Sequence, residues 1–185
     1  MVRRVQTTRR AAVGTLLSVG AGFGTGSFLS GSQKNSISDK LNVAIVGAGK
    51  GSIGGIANLP AMSDENVVAI CDVDDHYAGP AREANPQARQ WKDFRKMLEV
   101  QKDIEAVVVS TPDHLHAAIS VMAMSLGKHV YCEKPLTYTV SEGLEIAEAV
   151  KRTGKLLQVG SQGMSSSTQH KAREIIRSGR LGRVT

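Results

Sequence analysis

The stretch Leu41-Asn42-Val43-Ala44-Ile45-Val46-Gly47-Ala48-Gly49-Lys50-Gly51-Ser52 narrows the folds open to this chain more than any other. A near-continuous apolar run marks a strand buried on both faces, and such strands belong to parallel sheets covered by helices. The run ends abruptly in glycines. Gly47 and Gly49 allow a sharp turn and a close approach of backbone to a ligand, while the amides and positive dipole end of a following helix suit a phosphate. These are the parts of a dinucleotide-binding turn. The same glycines also suit a plain flexible turn, because short GxG patterns arise by chance and Ser52 stands where the fingerprint carries its third glycine.

The other apolar runs decide between the two. Asn66-Val67-Val68-Ala69-Ile70-Cys71-Asp72-Val73-Asp74 reads as a second strand that ends in acid, with Asp72 placed 23 positions beyond Gly49. A carboxylate about 20 residues past the glycine turn accepts the hydroxyls of an adenosine ribose and repels a 2′-phosphate. Asp72 therefore supports the dinucleotide reading and favours NAD over NADP, against the alternative of a solvated acidic turn, to which Asp74 and Asp75 are assigned. Between these strands, Ile53 to Met62 reads as a short helix weakened by Gly54 and Gly55 and limited by Pro60.

The segment from Pro80 to Arg89 is polar and partly helical in pattern. Trp91 to Glu99 suits a short strand or turn followed by a helix with Phe94, Met97 and Leu98 on its buried face. Ile104 to Ser110 is a third strand. Thr111 as cap and Pro112 in the first turn then predict a helix from Pro112 to Leu126 that ends at Gly127. Its start, with Asp113, His114 and His116, falls at the carboxyl end of a strand, where open α/β sheets bind ligands. His114 reads as solvated; His116 reads either as a group facing that ligand edge or as an ordinary polar helix residue.

Lys128 to Cys132 forms a fourth strand and delivers Glu133-Lys134-Pro135. A lysine beside a positive nicotinamide exchanges protons with a substrate hydroxyl, whereas the plainer alternative is a surface ion pair before a turn. Thr139-Val140-Ser141-Glu142 is a capping box that opens a helix through Arg152, closed by Gly154. Lys155 to Gly160 is a fifth strand, Ser161 to Ser167 a polar loop, Gln169 to Ser178 a last helix ending at Gly179, and Leu181 to Thr185 the beginning of a strand. Strands and helices that alternate in this way make a doubly wound parallel sheet of the α/β class.

Charge bears on partners. The chain has 185 residues and a net charge of +6, but Arg3, Arg4, Arg9 and Arg10 stand in a leader that holds no acid, and without them 19 basic face 17 acidic side chains. No basic stripe remains for nucleic acid. Thr7 to Val13, with the pair Arg9-Arg10, followed by the moderately apolar run Gly14 to Phe23, is expected to be a twin-arginine export signal rather than a membrane span, which places the mature protein in the periplasm. Residues 1–38 are accordingly set apart as signal and linker. Cys71 and Cys132 lie inside strand patterns and read as buried free thiols; their spacing offers no metal site.

Taken together, Val43 to Gly51, Ala69 to Asp74, Val109-Ser110-Thr111-Pro112-Asp113-His114-Leu115-His116, Gly127 to Pro135 and Leu157 to Gly160 resemble the N-terminal part of the Gfo/Idh/MocA oxidoreductases, over about residues 41–185. The resemblance implies a Rossmann-type domain at 39–160 that binds NAD, with NADP less favoured, and oxidises or reduces a sugar or polyol. It implies that Gly47, Gly49, Lys50, Gly51 and Ser52 hold the pyrophosphate and Asp72 the adenosine ribose. Ser110, Thr111, Pro112 and His116 would line the cofactor cleft, and Glu133 would bind the nicotinamide ribose. Lys134 matches the family's proton-moving lysine, also in contact with cofactor, and the Lys134-Pro135 bond is often cis in relatives. The family's second α/β domain, which brings the substrate pocket and self-association, is expected to begin at 161–185 and to be cut short. Other activities compatible with the same residues are NAD-dependent glycoside hydrolysis and non-catalytic dinucleotide binding.

Overall fold

In a computed structural model of the chain, residues 40–49 and 59–183 are described. The expected leader, Lys50, Gly51, Ser52 and the first part of the expected 53–62 helix lie outside the described residues. Six strands make one sheet: β1 (Asn42–Val46), β2 (Asn66–Cys71), β3 (Arg89–Trp91), β4 (Ala106–Val109), β5 (His129–Glu133) and β6 (Leu157–Gly160). Their spatial order is β3-β2-β1-β4-β5-β6, and every neighbouring pair is parallel. This is the doubly wound Rossmann order, whose direction of winding reverses between β1 and β4.

Alternation along the strands divides the core. Ala44, Val46, Ala69, Cys71, Val107, Val109, Val130 and Cys132 face one layer, which holds Met97 and Leu98 of α2 (Phe94–Val100), Ile119 and Met124 of α3 (His116–Ser125) and Ile146 of α4 (Val140–Thr153). Val43, Ile45, Val67, Ile70 and Val108 face the other, with Met62 and with Ala81 of α1 (Asp75–Ala84). Full burial of an Ile or Val side chain contributes roughly 1.5–3 kcal/mol, so this two-sided burial accounts for the apolar runs read in the sequence. Cys71 and Cys132 are both free and buried, and burial pushes their thiols up to about 12 and about 11.

Several local elements differ from the sequence reading. β1 and β2 change register between Val43 and Ala44, which skips Val68; buried Gln101 donates to the Val68 carbonyl at 3.0 Å and accepts from the Trp91 indole at 2.9 Å. Asp74 and Asp75 do more than form a solvated turn. Asp74 caps α1 by accepting the His76 and Tyr77 amides, and Asp75 pairs with Arg82 and Lys92. α1 begins at Asp75, runs through Pro80 and ends at Ala84, so only the first half of the partly helical segment from Pro80 to Arg89 is helix.

Thr111 is not the cap of the next helix. Pro112 has ψ 144°, in the extended region, so the chain first makes a 3-10 turn over Asp113–Leu115 and α3 begins at His116. The Thr139 capping box forms as read, and Gly154 closes α4 with φ +63°. The loop after β6 holds a 3-10 turn at Gln162–Ser165, and α5 (Ser167–Arg177) starts two residues earlier than expected, because the Ser166 hydroxyl accepts the Gln169 amide. Residues 181–183 are not a strand, and 184–185 lie outside the described residues. Among the described residues no helix is long and apolar enough to cross a membrane.

Candidate active site

Parallel register aligns the carboxyl ends of the strands, since Val46 is level with Cys71 and Val109, Val109 with Cys132, and Glu133 with Gly160. A cleft of about 590 Å³ opens there. It brings together Gly47, Gly49, Asp72, Ser110, Thr111, Pro112, His116, Glu133 and Lys134, all of which the sequence had singled out. Lys50, Gly51 and Ser52 are the exceptions, being outside the described residues.

The glycine turn is held from β2 by two hydrogen bonds. The Gly47 amide donates to the Cys71 carbonyl, and the Ala48 amide to Asp72 Oδ2, each at 2.9 Å. Asp72 Oδ1 accepts the Asp74 amide at 2.9 Å. Asp72 thus shapes the turn, and a carboxylate with about four lone-pair directions still has acceptor capacity toward the cleft. Gly47 has φ +83°, and Gly49 is closed in by Tyr77, whose Cβ would lie 3.2 Å from a methyl there.

Across the cleft, the β4 end offers hydroxyls. Ser110 Oγ and Thr111 Oγ1 are buried, and among the described residues neither has a hydrogen-bond partner. A buried hydroxyl without a partner costs about 1–3 kcal/mol, so two of them beside a glycine turn fit a polar ligand that pairs with them. His116 lies beneath, 2% exposed, with Nδ1 2.6 Å from the Pro135 carbonyl oxygen and Nε2 2.7 Å from that of Thr111.

The β5 end carries the charged pair. Glu133 is buried and Lys134 exposed, and the Lys134–Pro135 peptide is cis. Two residues here escaped the sequence reading. Tyr131 donates its phenol to Glu133, and Gly160 leaves room for both, since a methyl there would lie 2.7 Å from the Tyr131 oxygen and 3.0 Å from Glu133 Oε1. The only sequence signal was the glycine closing the fifth apolar run.

Residues 41–161 match the oxidoreductase family GFO_IDH_MocA, described as having an NAD-binding Rossmann fold. The chain belongs to the Gfo/Idh/MocA family. Among its relatives, inositol 2-dehydrogenase of Salmonella typhimurium is 30% identical over 148 residues, which cover 77% of this chain and 43% of that protein. D-glucoside 3-dehydrogenase of Escherichia coli is also 30% identical, over 80% of this chain and 42% of that one. The WlbA dehydrogenase of Chromobacterium, solved with NADH and UDP-GlcNAcA, superposes with a TM-score of 0.67 at 29% identity, over 78% of this chain and 41% of that structure. The chain therefore spans less than half the length of these Gfo/Idh/MocA relatives.

Proposed function

We propose that this chain is the cofactor-binding part of a dehydrogenase that moves hydride between a nicotinamide dinucleotide and a hydroxyl-bearing carbon of a sugar or polyol. The observation that carries the reading is the cleft itself, in which a glycine turn braced by Asp72 faces two buried hydroxyls lacking partners, with a lysine at the rim. The names of the relatives, inositol and glucoside dehydrogenases, support the substrate class. Bound dinucleotide supplies the hydride acceptor. The chain's own groups bind and orient: Gly47 and Gly49 admit the pyrophosphate, Asp72 accepts ribose hydroxyls, and Ser110 and Thr111 hydrogen-bond into the cleft beside Pro112.

Lys134 is assigned the proton. Its exposed amine sits at the cleft edge, next to buried Glu133, where a general base takes the proton from a hydroxyl as the carbon is oxidised and returns it in the reverse direction. Asp72 supports NAD over NADP, because a carboxylate repels a 2′-phosphate. In this reading residues 39–160 form the dinucleotide domain, 161–185 begin the substrate domain, and the leader exports the folded protein through the twin-arginine route. Replacing Arg9 and Arg10 by lysine should abolish periplasmic accumulation; continued export by the same route would refute that part. For the cofactor, NADH fluorescence is titrated with the 185-residue chain: saturable enhancement is expected, and its absence defeats the proposal.

A further inference from the structure

His116 makes contacts that a core-filling side chain does not need. Its ring lies between two backbone carbonyls on different loops, Thr111 on the β4–α3 turn and Pro135 on the β5–α4 turn, at 2.7 and 2.6 Å. Both partners are acceptors. A neutral imidazole has one N–H and satisfies one of them, whereas the imidazolium donates to both. The β4–β5 ladder ends at Val109 and Cys132, so past that point the two turns are no longer joined by strand pairing. The histidine ring joins them instead. On one turn it reaches the residue whose hydroxyl lacks a partner, and on the other it reaches the residue that follows Lys134.

We propose that His116 is a positioning residue: by clasping the Thr111 and Pro135 carbonyls in a single ring, it fixes the Thr111 hydroxyl and the Lys134 amine relative to each other across the cleft. The inference rests on the cofactor reading above for its purpose, but the clasp itself is a property of the protein alone. It assigns His116 an indirect part in cofactor binding, since both ring nitrogens are spent on backbone.

The test uses the 185-residue chain with His116→Phe, which keeps a ring and loses both ring nitrogens, and His116→Gln, whose single amide nitrogen reaches one carbonyl. Hydrogen exchange without ligand is read by mass spectrometry in segments 110–115 and 133–138. Both segments should exchange faster together in His116→Phe, with the β1 and β4 interior unchanged. NADH should bind about fivefold to tenfold more weakly, as the loss of one to two hydrogen-bonded constraints predicts, and His116→Gln should fall between. Faster exchange in one segment alone in His116→Phe overturns the clasp, and unchanged NADH affinity overturns the positioning role. If His116→Phe fails to fold, His116→Gln is judged instead: faster exchange in the segment whose carbonyl it no longer reaches, with weaker NADH binding, is expected, and unchanged exchange in both segments overturns the clasp. A wild-type chain that does not bind NADH defeats the cofactor reading, and the clasp then stands or falls on exchange alone.

Discussion

Gly47 lies so close to Ser110 that a β-carbon on it would stand 2.6 Å from the Ser110 carbonyl carbon and 2.7 Å from the Thr111 nitrogen. The contact joins the carboxyl ends of β1 and β4 at the point where the sheet reverses its winding. Neither obstacle is a side chain that can rotate away, and the φ of +83° at Gly47 is itself unfavourable for any other residue. Gly47→Ala should therefore cost about 3 kcal/mol or more, combining left-handed strain with displacement of backbone. Urea unfolding measures the loss, and NADH titration of the folded fraction should show binding abolished.

Asp72 braces the glycine turn, the proposed function gives it a second role at the ribose, and two variants separate the two. Asp72→Ala removes the acceptor for the Ala48 and Asp74 amides. It should lower NADH affinity at least about tenfold, since charge-assisted hydrogen bonds are worth about 1.5–3 kcal/mol. Asp72→Asn keeps one carbonyl acceptor for the turn but loses the charge. Its preference for NADH over NADPH should shrink by about tenfold or more, because the repulsion of a 2′-phosphate goes with the charge. Parallel fluorescence titrations with both dinucleotides read the ratio; an unaltered ratio contradicts the ribose assignment.

What was legible in the sequence was whatever depends on burial or on local hydrogen-bonding chemistry. The runs at Val43, Val67, Val107 and Val130 are apolar because both faces of those strands are covered, and the Thr139 box and Gly154 act within one helical turn. β3 was half legible, since Arg89, Gln90 and Trp91 form a three-residue edge strand exposed enough to carry charge. Thr111 misled because its hydroxyl looks like a cap, yet the extended Pro112 delays the helix and leaves that hydroxyl to the cleft. Partners far apart in sequence were not legible at all: Gln101 with Val68, Tyr131 with Gly160, and His116 with Pro135 meet only when the crossovers bring them together.

Lys128 shows that part of the family resemblance belongs to the scaffold. Its ammonium is buried at the amino end of β5, opposite the cleft, and donates to the Lys102 and Ile104 carbonyls at 3.0 and 2.6 Å. Burial, more than the nearby Lys102, holds this amine below its ordinary range. Lys128→Met should fill similar space but leave two carbonyls without a donor, at a cost of about 2 kcal/mol in urea unfolding. NADH affinity should be unchanged. A depressed amine favours folding most above its unfolded range, and that contribution is lost as pH falls through the folded value, so variant and wild type are compared at one fixed pH.

Tyr131 offers a direct optical test of the Glu133 environment. Its phenol is pushed up to about 12, first by burial, then by the charge of Glu133 and the hydrogen bond it donates to that carboxylate. Because the folded value lies above the ordinary one near 10, the neutral phenol stabilises the folded state fully below that ordinary value, and the stabilisation is lost as pH rises through about 12. An absorbance titration of the chain should show a late component from Tyr131. That component should vanish in Tyr131→Phe and move to lower pH in Glu133→Gln, which keeps the burial but removes the charge. Gly160→Ala should move it too, since the added methyl would enter within 2.7 Å of the phenol oxygen and displace it from Glu133. Tyr131→Phe should cost about 1 kcal/mol in stability and weaken NADH binding, because Glu133 is then no longer held at the cleft wall; a late component that survives in Glu133→Gln at its original position would show that burial alone sets the phenol.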